Sequence, residues 1–144
     1  MKNTREYPVT VSIATLRFDG EGGGEKEEYT YRGSVSEGTL YALTYESGEG
    51  EEAQRTRLTF EGTHPERITL TQSGAISCTL AFEAGTAYTA LYRVSGVGEL
   101  DMEICTRSVK NEKTENGRRI RLDYEAVLGG ARMRTVMTLA VKDN

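Results

Sequence analysis

A chain of 144 residues can bury about 68 to 70% of the surface its unfolded form exposes, enough for one domain with a core and no staples. Its 18 Lys and Arg against 22 Asp and Glu leave a net charge of -4, which favours solubility and argues against a DNA binder, whose footprint is basic. No run approaches the ~20 apolar residues of a membrane span, and Met1 to Val11 lacks the apolar stretch of a secretory signal, so a cytoplasmic protein without membrane association is expected.

Ten runs of alternating apolar and polar residues follow one another from residue 8 to the C-terminus, separated by Gly-containing turns. The first, Pro8 to Phe18, carries Val9, Val11 and Ile13 on one parity and Ala14, Leu16 and Phe18 on the other, which predicts a bulge or bend near Ile13 to Thr15. After the glycines of Gly20 to Gly24, a second strand is read over Glu27 to Val35 and a third over Thr39 to Tyr45. Beyond the acidic Ser47 to Ala53 loop come Gln54 to Phe60, Glu66 to Gln72, Ala75 to Phe82 and Thr86 to Val94. The eighth strand is read over Gly98 to Val109, followed by a polar loop, Lys110 to Asn116. The last two, Arg118 to Leu128 and Arg132 to Val141, flank Gly129-Gly130, a turn that permits positive φ twice.

Registers can be computed for the clearest hairpins. With Leu128 opposite Ala131, the pairs Ala126 with Met133, Tyr124 with Thr135, Leu122 with Met137 and Ile120 with Leu139 share one face, and Glu125 meets Arg134 on the other. The turn near Ser95 to Val97 likewise sets Tyr92 opposite Leu100 and Ala90 opposite Met102 inside, with Arg93 opposite Glu99 outside. No window sustains helical periodicity, and the connections are too short for crossovers. The expected fold is therefore all-β: a single domain, residues 1–144, forming an antiparallel up-and-down barrel of about ten strands, closed so that no strand edge stays exposed. Its interior should exceed the eight-strand size, leaving a cavity or a plug of side chains.

Chemistry-bearing patterns are sparse. Cys78 shares parity with apolar Ile76, Leu80 and Phe82, whereas Cys105 faces out, so no disulfide is expected. His64 stands alone before Pro65 in a turn, with no partners for a metal. The Gly20 to Gly24 loop lacks the lysine and helix of a phosphate loop and is flanked by Asp19, Glu21 and Glu25; it reads as a hairpin loop or a lid. Glu99, Asp101 and Glu103 read as a solvated outer face. No enzyme, metal or cofactor is expected.

The run Leu70 to Ala75, the Phe82 to Tyr92 segment, Gly98-Glu-Leu-Asp-Met-Glu-Ile-Cys-Thr106, Ile120 to Tyr124 and the Tyr41 to Glu46 stretch resemble the YwiB-like family. The resemblance covers nearly the whole chain and rests on strand pattern and a few Gly, Tyr and Glu positions. It implies a bacterial protein of unknown function with a lipocalin-like, calycin-type barrel, and carries no catalytic or binding residues with it. Small apolar ligands are suggested by that analogy of fold alone.

The second hairpin leaves two readings open. With Glu37-Gly38 as a two-residue turn, Val35, Gly33 and Tyr31 pair with Leu40, Ala42 and Thr44 on one face, while Thr30, Arg32, Ser34, Tyr41, Leu43 and Tyr45 share the other. If the second face is inside, Arg32 beside two tyrosines can hold a carboxylate while the walls bury an apolar tail. The functional expectation is a small, partly apolar ligand inside the barrel, lined by Arg32, Tyr41, Tyr45, Tyr88 and Tyr92. The alternative is a protein or RNA partner on an outer basic stripe of Arg121, Arg132 and Arg134, a face on which no aromatic residue is expected to stack a base.

Overall fold

In the computed structural model, which describes residues 4–18 and 24–144, the alternating runs form ten strands. These are β1 (Arg5–Phe18), β2 (Gly24–Glu37), β3 (Leu40–Ser47), β4 (Gln54–Glu61), β5 (His64–Gly74), β6 (Ile76–Phe82), β7 (Ala87–Val94), β8 (Gly98–Thr114), β9 (Gly117–Leu128) and β10 (Ala131–Asp143), with one 3-10 turn at Gly50–Glu52. Each strand pairs antiparallel with its sequence neighbours, and β1 pairs with β10 to close a ten-strand barrel. The closing seam sets Val11 opposite Val141 and Ile13 opposite Leu139, so the inward period-2 face continues from β10 into β1.

The two hairpins whose registers follow from the sequence have those registers. Leu128 faces Ala131 and Ile120 faces Leu139, with Gly129 at φ 58° and Gly130 at φ 83° making the turn. Tyr92 faces Leu100 and Arg93 faces Glu99, and the Arg93 and Glu99 side chains form an ion pair at 2.8 Å.

Three local expectations are corrected. β1 has no bulge at Ile13 to Thr15: it runs in unbroken register against both neighbours, and Val9, Val11, Ile13, Thr15 and Arg17 all face inward. Leu16 and Phe18 are consequently outside, where Leu16 faces Val136 and Phe18 faces Arg134. Bulges occur instead in β4, between Thr59 and Glu61, and in β8, between Thr106 and Ser108. β8 also continues through the polar Lys110 to Thr114 stretch, paired with β9 as far as Gly117, because polar side chains are tolerated where a ladder runs past the end of the core.

The third correction concerns β2 and β3. Glu37 faces Tyr41, Val35 faces Leu43 and Gly33 faces Tyr45, three positions from the two-residue-turn register. An odd shift exchanges the faces of β3 relative to β2. Tyr31 and Val35 therefore share the interior with Tyr41, Leu43 and Tyr45, and Arg32 stands exposed on the outer face. The loop is longer than the minimal turn, and what it gains is burial of three large β3 side chains without burying a guanidinium.

The interior has two zones. The end at the β2–β3, β4–β5 and β8–β9 turns is solid, packed with Val9, Val11, Val35, Leu43, Leu58, Ile68, Ile120, Leu122 and Leu139, all at most 1% exposed. Tyr41 and Phe60 stack over it at 4.6 Å, and the Arg118 guanidinium lies over both rings, held by a 2.7 Å hydrogen bond to Asn111 Oδ1. The end at the β5–β6, β7–β8 and β9–β10 turns is hollow.

Candidate functional site

The hollow end is a cavity of about 380 Å³, within the range of small-molecule sites. Leu70, Leu80, Phe82, Ile104 and Leu128 supply apolar wall, and Met102, Met133 and Met137 add three thioethers. Those are all the methionines of the chain apart from Met1, and unbranched thioethers let a wall adapt to its occupant. Polar groups are few: the phenols of Tyr45, Tyr92 and Tyr124, the amide of Gln72, the hydroxyl of Thr135 and the guanidinium of Arg17.

Arg17 reaches the cavity because β1 keeps its alternation to the end of the strand. At the mouth its Nη1 lies 3.3 Å from Glu27 Oε1 on β2, with both side chains about two-fifths exposed. Burial pushes the phenols of Tyr92 and Tyr124 above their ordinary pKa, and the nearby Arg17 charge works against that rise on both. Tyr45 is likewise raised by burial, opposed by a hydrogen bond with Thr56. At pH 7 all three phenols are neutral donors. A row of rings leads in from solvent: Tyr29 stacks on Tyr31 at 6.1 Å, and Tyr31 on Tyr45 at 5.3 Å.

A second opening lies in the wall. β6 and β7 pair through Ile76 with Val94 and Ser77 with Arg93 alone, whereas β7 pairs with β8 along its whole length. The turn after β6 leans away toward β8: the Gly85 N–H donates to the Thr106 carbonyl at 2.9 Å, and the Thr106 N–H to the Thr86 carbonyl at 3.1 Å. The resulting groove is lined by Cys78, Thr79, Tyr88 and Thr89 among others, and shares Gln72 with the cavity.

Of the five lining residues read from the sequence, Tyr45 and Tyr92 line the cavity. Tyr41 belongs to the solid end, Tyr88 to the β6–β7 groove and Arg32 to the outer surface. Arg17 and Tyr124 are the functional candidates missing from that set. Tyr124 was recognisable as inward from the last hairpin's register, and Arg17 from simple alternation starting at Val9.

Two of the three outer arginines are tied up. Arg134 donates to both carboxylate oxygens of Asp123, at 3.1 and 2.8 Å, and lies over the Phe18 ring at 5.8 Å; Arg132 bonds to Glu125. Arg121 is half-buried beside them. Phe18 thus puts an aromatic ring on a face where none was expected. Cys78 is buried and Cys105 half-buried, both as free thiols, and His64 is exposed at the start of β5 with Nδ1 3.5 Å from Glu66 Oε1. Most of the glycine-rich loop lies outside the described residues. Among the described residues no helix is long and apolar enough to cross a membrane.

Comparison with solved structures finds the YwiB protein of Bacillus subtilis, with a TM-score of 0.84 and 22% identity over 96% of this chain and 93% of that one. At that identity the likeness is one of fold. Among curated proteins none matches. The family model described as a domain of unknown function, DUF1934, matches residues 11–137, which takes in β2 to β9, parts of β1 and β10, and the described residues that line the cavity. The chain belongs to the DUF1934 family.

Proposed function

We propose that this protein binds a small, partly apolar molecule in the hollow end of the barrel and does so without catalysis. The supporting observation is the cavity itself: about 380 Å³, walled by aliphatic, aromatic and thioether groups, with a handful of polar groups among them. That composition suits a ligand with an apolar body and one polar head. The lipocalin-like character suggested by the family resemblance supports the same reading by analogy of fold. A cytoplasmic location is proposed with it, consistent with two cysteines on opposite sides of the wall that do not meet.

The outer face of β9 and β10 ranks second. Phe18 beneath Arg134 favours it, since a guanidinium on a ring is a platform for a base or an acidic side chain. Against it, Arg132 and Arg134 are already neutralised by Glu125 and Asp123.

Native mass spectrometry of freshly purified protein, with a thermal-shift screen of small apolar acids, alcohols and amines, tests the first reading. A bound mass that survives gentle desolvation, or a dose-dependent rise in Tm with one chemical class, is expected. A bare protein mass together with no Tm change across the screen contradicts it.

A further inference from the structure

Among the described residues lining the cavity, Arg17 is the single charged side chain. Its partner Glu27 is not part of the lining, so the charge presented to an occupant is positive. Arg17 comes from β1, Tyr92 from β7 and Tyr124 from β9, alternate strands along one stretch of the wall, and all three side chains face the same space. A guanidinium carries a planar fork of donors and each neutral phenol adds one. That set is complementary to a carboxylate, whose oxygens accept several hydrogen bonds, and mismatched to an ammonium group. On the strands that alternate with those three, Leu80 of β6, Met102 of β8 and Met137 of β10 present hydrocarbon and sulfur to the same space.

The Arg17 to Glu27 contact is a half-exposed ion pair at 3.3 Å, a class that contributes little to stability because water screens it. Replacing the Glu27 carboxylate by a ligand carboxylate exchanges one anion for another on the same guanidinium. Glu27, about two-fifths exposed already, returns to water without leaving a buried charge behind. The contact therefore holds Arg17 at the mouth at small cost to binding.

We propose that the cavity receives an amphiphilic monocarboxylate, its head taken by Arg17 with Tyr92 and Tyr124 in place of Glu27, and its apolar body laid among Leu80, Met102 and Met137. This rests on the ligand-binding reading above and adds the chemical class and the head-group subsite.

The test uses a matched pair of probes, octanoate and 1-octanol, titrated by calorimetry into the wild-type protein and into Arg17→Gln and Glu27→Gln. The wild type is expected to bind octanoate about tenfold more tightly than octanol, the size of one charge-assisted contact. Arg17→Gln should remove that preference with octanol binding unchanged, and Glu27→Gln should strengthen octanoate binding. Because the two variants shift affinity in opposite directions, a general loss of folding cannot imitate the pattern. Equal binding of the two probes by the wild type, or a preference that survives Arg17→Gln, overturns the subsite and leaves cavity binding standing. Absence of binding by both probes in the wild type overturns the cavity reading, and the subsite with it.

Discussion

Arg118 lies with its guanidinium 5.0 Å from the ring centre of Tyr41, at the end of the barrel opposite the cavity. It covers Phe60 at 4.9 Å as well and is anchored by Asn111, whose own amide donates to the Pro65 carbonyl at 3.0 Å. This plug joins β3, β4, β5, β8 and β9. A planar cation stacked on two rings is not replaceable by an ammonium point charge. Both Arg118→Ala and Arg118→Lys should lower unfolding stability, by about 1 to 2 kcal/mol, with lysine recovering little of it. Urea denaturation checks this. Burial pushes the Tyr41 phenol up to about 12 with the Arg118 charge opposing the rise, so ultraviolet titration of Arg118→Ala should show Tyr41 ionising at still higher pH.

Asp123 and Arg134 make stability depend on pH on the acid side. The hydrogen bonds from Arg134 hold the Asp123 carboxyl below its ordinary 3.8. A depressed folded-state pKa contributes stability that is present above the unfolded value and is lost as pH falls through the folded one. The Arg134 side chain is 40% exposed, so screening keeps the contribution to about 1 kcal/mol. Urea midpoints for the wild type and Asp123→Asn should differ at pH 7 and converge as pH falls through the lowered folded-state pKa of Asp123. A constant difference across that range would remove the pair from the account.

Thr106 carries a buried hydroxyl with no hydrogen-bond partner among the described residues. Thr106→Val removes an unsatisfied polar atom while keeping the branched shape, and should raise stability by about 1 kcal/mol. Thermal unfolding reads it directly, and a lower Tm would show that the hydroxyl is satisfied in solution.

Gly33 permits β2 to cross closely over β3: a Cβ there would lie 2.6 Å from the Thr44 carbonyl oxygen and 3.3 Å from Tyr45 Cβ. Gly33→Ala should therefore cost about 1 to 3 kcal/mol and disturb the Tyr31 to Tyr45 stack, seen as a change in near-ultraviolet circular dichroism. The sparse ladder between β6 and β7 leads to a separate expectation. Amides of Thr79 to Phe82 and of Tyr88 to Tyr92 that point across the seam should exchange with deuterium faster than those of β1 and β2. Uniform protection around the barrel would mean that the seam is closed in solution.

How much of this was legible in the sequence depended on whether a turn left alternatives. Gly129-Gly130 admits a two-residue turn with positive φ, and everything between Ile120 and Leu139 followed from it. Glu37 to Leu40 offers no such constraint, since loops of two and three residues both leave alternating faces, and burial of Tyr41, Leu43 and Tyr45 decides between them. β1 misled for the opposite reason. Leu16 and Phe18 are apolar enough to look inward, yet the barrel end they flank is hollow, so the inward site tolerates Arg17 and the outward one gains contacts with Val136 and Arg134. A cavity relaxes the rule that apolar means inside, which is why Arg17, the one charged side chain among the described lining residues, was missed.

The most direct measurement of the central claim is a calorimetric titration of octanoate into the wild type and into Ala126→Phe, a substitution that fills the cavity from the β9 wall. Saturable one-to-one binding by the wild type, abolished in Ala126→Phe while cooperative unfolding is retained, is the predicted result. Equal binding by both proteins would place the ligand elsewhere, and no binding by either would contradict the account.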